Sequence, residues 1–193
     1  MKRLTKLTRE ELTGIKDLLS DPLEDYITAE EQTEENCIEV VSKWGEMLKF
    51  VVNSTDKIRL AAVSNDFRAL KYITKPSLEI CKEAFKNDTM GDSLYYIAKE
   101  NRTEEICLEA IRAHAHAISH IDDPTEEMCR LAIQEDYFTI VFVNKPSFEL
   151  CEFAVQQDPR AISYITNDEF KKKLKEKYNL EEDASINLEK MEF

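Results

Sequence analysis

Residues 103–124, TEEICLEAIRAHAHAISHIDDP, and residues 125–146, TEEMCRLAIQEDYFTIVFVNKP, are two consecutive copies of one pattern. Each opens on Thr-Glu-Glu, carries a cysteine at its fifth residue, keeps an Ala-Ile pair a few residues on, and closes on a proline. The pattern extends over most of the chain, in units of about 22 residues at 33–54, 55–76, 77–102, 103–124, 125–146 and 147–166. The third unit carries extra residues, around Met90-Gly91 and Lys99-Glu100-Asn101. So regular a period marks stacked supersecondary units, none of which can bury its apolar face alone.

Within the unit, the first residue is Thr33, Thr55, Ser77, Thr103, Thr125 or Ser147. Such a hydroxyl accepts hydrogen bonds from the unpaired N–H groups of a first helical turn. Acids follow at Glu34, Glu35, Asp56, Glu79, Glu104, Glu105, Glu126, Glu127 and Glu149, where the helix dipole favours negative charge. A first helix is therefore expected to start at the second residue of every unit. Its apolar positions are the fourth, fifth, eighth and ninth, which share one helical face. The eighth is Ala62, Ala84, Ala110, Ala132 or Ala154, with Val40 in the first unit, small enough for neighbouring helices to approach closely. Position 12 is Asp66, Asp88, Asp136 or Asp158 in four units, and Pro159 follows the last. Asp before Pro marks the start of a second helix, of about two turns. So short a helix depends on packing against its neighbours. Position 18 is aromatic in most units, at Phe50, Tyr72, Tyr96, Phe142 and Tyr164.

The flanks read as caps. In residues 1–32, Thr8 and Glu11 make a capping box for a helix from about Arg9 to Leu19, and Pro22 starts a shorter one through Tyr26 and Ile27. Residues 167–193 begin with a charged helix, Asn167 to Tyr178, turning Phe170 and Leu174 to the array. An acidic tail follows, with Ile186, Leu188, Met191 and Phe193 as its docking candidates. Only 3 Gly and 5 Pro leave little room for hairpins, which favours helices throughout. The expected fold is all-α: an α-solenoid of about six short helix-turn-helix repeats between N- and C-terminal capping helices.

The unit T-E-E-x-C-x-x-A-[IVF], an Asp-led turn, then A-[IL]-x-[YFH]-[IV] resembles a family of short helical repeats of unknown function. That family is found in bacterial effector proteins and in phage or large-virus proteins. The unit is also similar to leucine-rich repeat variants, which alternate an α-helix with a shorter one. The resemblance covers roughly residues 33–166, and its motif is a packing motif with no catalytic residues to transfer. It implies a solenoid and an interaction protein of viral or effector type.

Three groups of residues are candidate sites. The five cysteines, Cys37, Cys81, Cys107, Cys129 and Cys151, all stand at position 5, inside the apolar face. Stacked helices lie about 8–10 Å apart, beyond the Cα separation of about 7 Å that a disulfide tolerates. Nor can a ladder at that pitch converge on one metal. They read as small core hydrophobes in a reducing compartment. The three histidines, His114, His116 and His120, cluster in HAHAISH, and His116 and His120 have the i,i+4 spacing that can hold zinc. Yet His120 takes the aromatic position and His114 the second-helix cap, so no metal is expected. Finally, Tyr137, Phe138, Val141, Phe148 and Phe153 are apolar at positions mostly polar or small elsewhere, and Trp44 and Tyr95 are lesser cases. An exposed patch of this kind marks a partner surface or a self-association surface.

The formal net charge of −13 opposes direct nucleic-acid binding and anionic membranes. No apolar run is long enough to span a bilayer. The basic start lacks the apolar stretch of a signal peptide, so a cytoplasmic protein is expected. No P-loop, GxGxxG, HExxH or GxSxG pattern occurs. The function expected is non-enzymatic: a protein-protein interaction module without cofactors, and in an effector or viral setting an inhibitor of a host protein. The alternatives are an acidic decoy that mimics nucleic acid, and a metal-dependent enzyme or sensor built on the histidines.

Overall fold

The computed structural model describes residues 32–180. The capping box at Thr8, the helix through Leu19 and the tail from residue 181 onward lie outside the described residues. Every regular element among the described residues is a helix. The α-helices are α1 (Glu34–Lys43), α2 (Asp56–Asn65), α3 (Leu78–Lys86), α4 (Glu104–Ala113), α5 (Glu126–Glu135), α6 (Phe148–Gln157) and α7 (Asp168–Tyr178). No helix among the described residues is long and apolar enough to cross a membrane.

Each of the first six α-helices begins at the second residue of its unit, for the reason the sequence supplies. The hydroxyls of Thr33, Thr55, Ser77, Thr125 and Ser147 accept from the backbone N–H three residues on, at Asn36, Ile58, Ile80, Met128 and Leu150. Thr103 does the same for Ile106 at 3.3 Å.

The second helix of the unit differs from expectation. It is a 3₁₀ helix, spanning Gly45–Phe50, Phe67–Tyr72, Ser93–Tyr96, Ala115–His120, Tyr137–Phe142 and Pro159–Tyr164, with one further 3₁₀ turn at Lys99–Asn101 in the longer third unit. Its bonds close over three residues, as in Ile73 N–H to Leu70 O at 3.0 Å and Val143 N–H to Ile140 O at 3.2 Å. A six-residue segment is too short to sustain an α-helix. The 3₁₀ form suits short pieces and puts residues three apart on one side. Asp66, Asp136 and Asp158 cap these segments through the N–H two residues on, at 2.9, 2.9 and 2.8 Å. Asp88 departs from its expected capping role. Its carboxylate sits inside the chain and ties together the turn that precedes Ser93.

The chain divides into two compact units, Met1–Ile106 and Cys107–Phe193. In the first, α1 packs on α2 and α2 on α3, while the 3₁₀ helices Gly45–Phe50, Phe67–Tyr72 and Ser93–Tyr96 pack in the same order. Its core holds Val41, Leu48, Ile58, Ala62, Val63, Leu70, Ile80, Ala84 and Leu94. In the second, α5 packs on α6 and α6 on α7, and the 3₁₀ helices Ala115–His120, Tyr137–Phe142 and Pro159–Tyr164 follow in series. Its core holds Ile111, Ile118, Met128, Ala132, Ile133, Ile140, Ala154 and Ile162. The small eighth residue is buried throughout, as close helix approach requires.

Helix α7 packs on α6 in the second unit. Asn167 caps its start on Phe170 N–H at 3.0 Å, and Asn179 ends it in the left-handed conformation at φ 54°. Leu174 is buried, the Phe170 ring lies 5.4 Å from that of Phe148, and the Tyr178 hydroxyl donates to Glu152 at 2.9 Å.

Candidate functional site

The apolar candidates of the fifth and sixth units separate into two groups. Tyr137, Phe138 and Val141 lie on the 3₁₀ helix Tyr137–Phe142, while Phe148 and Phe153 lie on α6. Phe148 packs on Phe170, and Arg130 stands 5.0 Å over the Phe153 ring. Both α6 rings are half-buried, and each has a local partner.

The 3₁₀ group forms a connected set of rings. Phe138 meets Tyr164 at 4.9 Å and Phe142 at 6.1 Å, both nearly perpendicular. His116 adds contacts to Phe142 at 5.6 Å and Phe138 at 6.0 Å. Tyr137 lies 6.3 Å from Tyr164, and Arg160 covers Tyr137 at 5.0 Å while binding Asp158. Tilted and perpendicular ring pairs at these separations are the favoured aromatic arrangement. Burial pushes the Tyr137 hydroxyl above its ordinary pKa, although Arg160 pulls the other way. At one end of the set, Val141 is 42% exposed and Phe142 37% exposed.

Trp44 and Tyr95 belong to the first compact unit. Trp44 is half-buried at the joint between α1 and the 3₁₀ helix Gly45–Phe50. It lines a cleft of about 380 Å³ with Lys43, Lys49, Phe50, Asn65 and Asp66. Tyr95 is 66% exposed and meets Tyr96 edge-to-face at 5.3 Å. Three exposed apolar residues escaped the sequence reading as partner candidates: Val52, Met90 and Phe142. For Phe142 a signal existed. The residue before the ring is lysine in the first two units and valine in the fifth.

The histidines have separate surroundings. His114 precedes its 3₁₀ helix in the place Asp holds elsewhere, without a side-chain cap bond. His116 lies among the rings, its Nε2 3.9 Å from Asp136 Oδ2. His120 is half-buried at the ring position of its unit. Among the described residues no set of three or more His, Cys, Asp or Glu is placed to hold a metal ion.

The five cysteines are buried thiols. Burial pushes the Cys81 thiol up to about 12 and the Cys151 thiol up to about 11, and it raises Cys37 and Cys129 too. The thiolate is the reactive form, so at pH 8 a thiol of pKa about 12 is ionised in about one molecule in ten thousand. Modification of the native protein by an aromatic disulfide reagent at pH 8 is therefore expected to proceed at the rate of unfolding. Equally fast labelling with and without urea would contradict this core placement.

Comparison with protein-family models, with curated proteins and with solved structures gives no match.

Proposed function

We propose that the chain is a non-enzymatic protein-binding module, a capped α-solenoid of six short units that engages a protein partner through the ring cluster of the fifth and sixth units. The observation that carries this is the exposed Val141–Phe142 step, continuous with Phe138, Tyr137 and Tyr164. Apolar rings held rigid by one another lose little freedom on binding, so they serve well as anchors. The resemblance to repeats of effector and phage or large-virus proteins supports an inhibitor of a host protein, working in the cytoplasm.

The test pairs wild type with a Val141→Ser, Phe142→Ser double variant in affinity capture from the native host, read by mass spectrometry. Wild type is expected to enrich a protein that the double variant loses, with the helical circular dichroism of the two alike. Capture of the same proteins by both ends the assignment. Light scattering of the same pair reads the self-association that such a surface also supports.

A second reading, the acidic decoy, draws support from the exposure of the first-turn acids Glu34, Glu35, Asp56, Glu104, Glu105, Glu126, Glu127 and Glu149. A decoy's grip on a basic nuclease or polymerase weakens steeply with added salt, whereas docking through the rings weakens little.

A further inference from the structure

The ring positions of the repeat differ in what covers them. Lys49 Nζ stands 4.6 Å from the centre of the Phe50 ring, and Lys71 Nζ 4.9 Å from that of Tyr72. In both, the cation comes from the residue immediately before the ring. An aromatic face carries the negative part of the ring quadrupole, and a cation placed over it is attracted. In the fifth unit the residue before the ring is Val141, and no lysine or arginine among the described residues stands over Phe142. The Phe142 ring pairs with those of His116 and Phe138, at interplanar angles of 72° and 87°. Lysine thus covers the ring in the first two units, whereas Tyr95, Ser119, Val141 and Ser163 precede it in the others, and of those four Val141 alone is an aliphatic residue.

Charge points the same way. The chain carries a formal net charge of −13, and the carboxylate of Asp136 lies beside His116 of this ring set. A polyanion approaching Val141–Phe142 meets repulsion, and a basic segment meets attraction. We infer that the Val141–Phe142 step docks a basic polypeptide segment, with an arginine or lysine over the Phe142 ring and a neighbouring aliphatic side chain on Val141. This rests on the protein-binding reading and names the chemistry of its partner.

The probe is a displayed random-peptide library selected against the full chain at about 0.15 M ionic strength. Recovered peptides are expected to pair Arg or Lys with Leu, Ile or Val. Replacing the basic residue of a recovered peptide by Gln is expected to weaken binding about tenfold. Val141→Lys, at an exposed position, restores the arrangement of Lys49 and Lys71, and it is expected to cause a similar loss with unchanged thermal unfolding. Peptides without basic residues that still lose binding on Val141→Ser would overturn the cation preference and leave the surface standing. Binding that is equal for wild type, Val141→Ser and Val141→Lys would overturn both, as would a library that yields no binder.

Discussion

Asp88→Ala is expected to destabilise the protein by about 3–5 kcal/mol, a large part of the total for an ordinary domain. Asp88 is only 3% exposed. One of its carboxylate oxygens accepts from the N–H groups of Met90 at 2.9 Å and Gly91 at 3.0 Å. The other accepts from the N–H and the hydroxyl of Ser93, which is itself buried. Alanine leaves the buried donors of Gly91 and Ser93 without an acceptor, and each such group costs about 1–3 kcal/mol. Gly91, at φ 83°, lets the chain make the turn that aims these N–H groups at one carboxylate. Urea unfolding of the variant measures the loss, and a change under about 1 kcal/mol would mean that the turn finds other acceptors.

The same residue sets a pH dependence. Burial acts to raise the Asp88 carboxyl, but the hydrogen bonds from Ser93, Met90 and Gly91 outweigh it, so its pKa lies below the ordinary value of 3.8. A carboxylate whose folded pKa is depressed stabilises fully above its unfolded value and loses that stabilisation as pH falls through the folded one. Other acids with depressed pKa, the half-buried Glu83 and Asp158 among them, act in the same direction. The decisive reading is therefore a difference. Between pH 5 and pH 3 wild type is expected to lose more stability than Asp88→Asn, which has no charge to lose.

Asp88 also marks the limit of what the sequence discloses. It stands at the repeat position where Asp66, Asp136 and Asp158 cap a 3₁₀ helix, and spacing alone assigns it that role. The extra residues of the third unit change the task, since the chain must first turn through Met90 and Gly91. Where the chemistry is short-ranged, the sequence is a sufficient guide. A hydroxyl, one or two acids and four apolar positions at helical spacing locate α1 to α6 and their buried faces. The choice between α and 3₁₀ for the second helix is harder, because six residues complete too few turns for periods of 3.6 and 3.0 to separate. The apolar pairs three apart, such as Leu70 with Ile73 and Ile162 with Ile165, fit the tighter form. For the candidate surface the sequence identifies an excess of rings, but their division depends on three-dimensional partners. Phe148 is taken up by Phe170 of α7, whereas Val141 and Phe142 stay open.

Gly45→Ala is expected to cost about 2–3 kcal/mol, although the sequence suggests the opposite sign. The corresponding residues in later units are Phe67, Ala115, Tyr137 and Pro159, so the repeat evidently tolerates a side chain there. Gly45 is not among the positive-φ residues, and at such a position Gly→Ala ordinarily stabilises by about 0.4–1 kcal/mol through the unfolded chain. Space reverses the sign. A Cβ on Gly45 would stand 2.5 Å from Ala62 O and 2.9 Å from Asp66 Cβ. The Ala62 oxygen is already held, accepting from Asp66 N–H at 2.9 Å at the end of α2. Neither side can move freely, because Asn65 straps them together. Its Oδ1 accepts from Gly45 N–H at 2.8 Å, and its Nδ2 donates to Ser42 O at 2.9 Å. Relieving the clash therefore means breaking backbone and strap bonds together, a cost at the upper end of about 1–3 kcal/mol for overpacking. If the strap is what holds Gly45 close, Asn65→Ala and Gly45→Ala are coupled. The double variant is expected to lose clearly less than the sum of the singles, by about 1 kcal/mol in a urea-unfolding cycle. Strict additivity would separate the glycine's close approach from the asparagine that spans it.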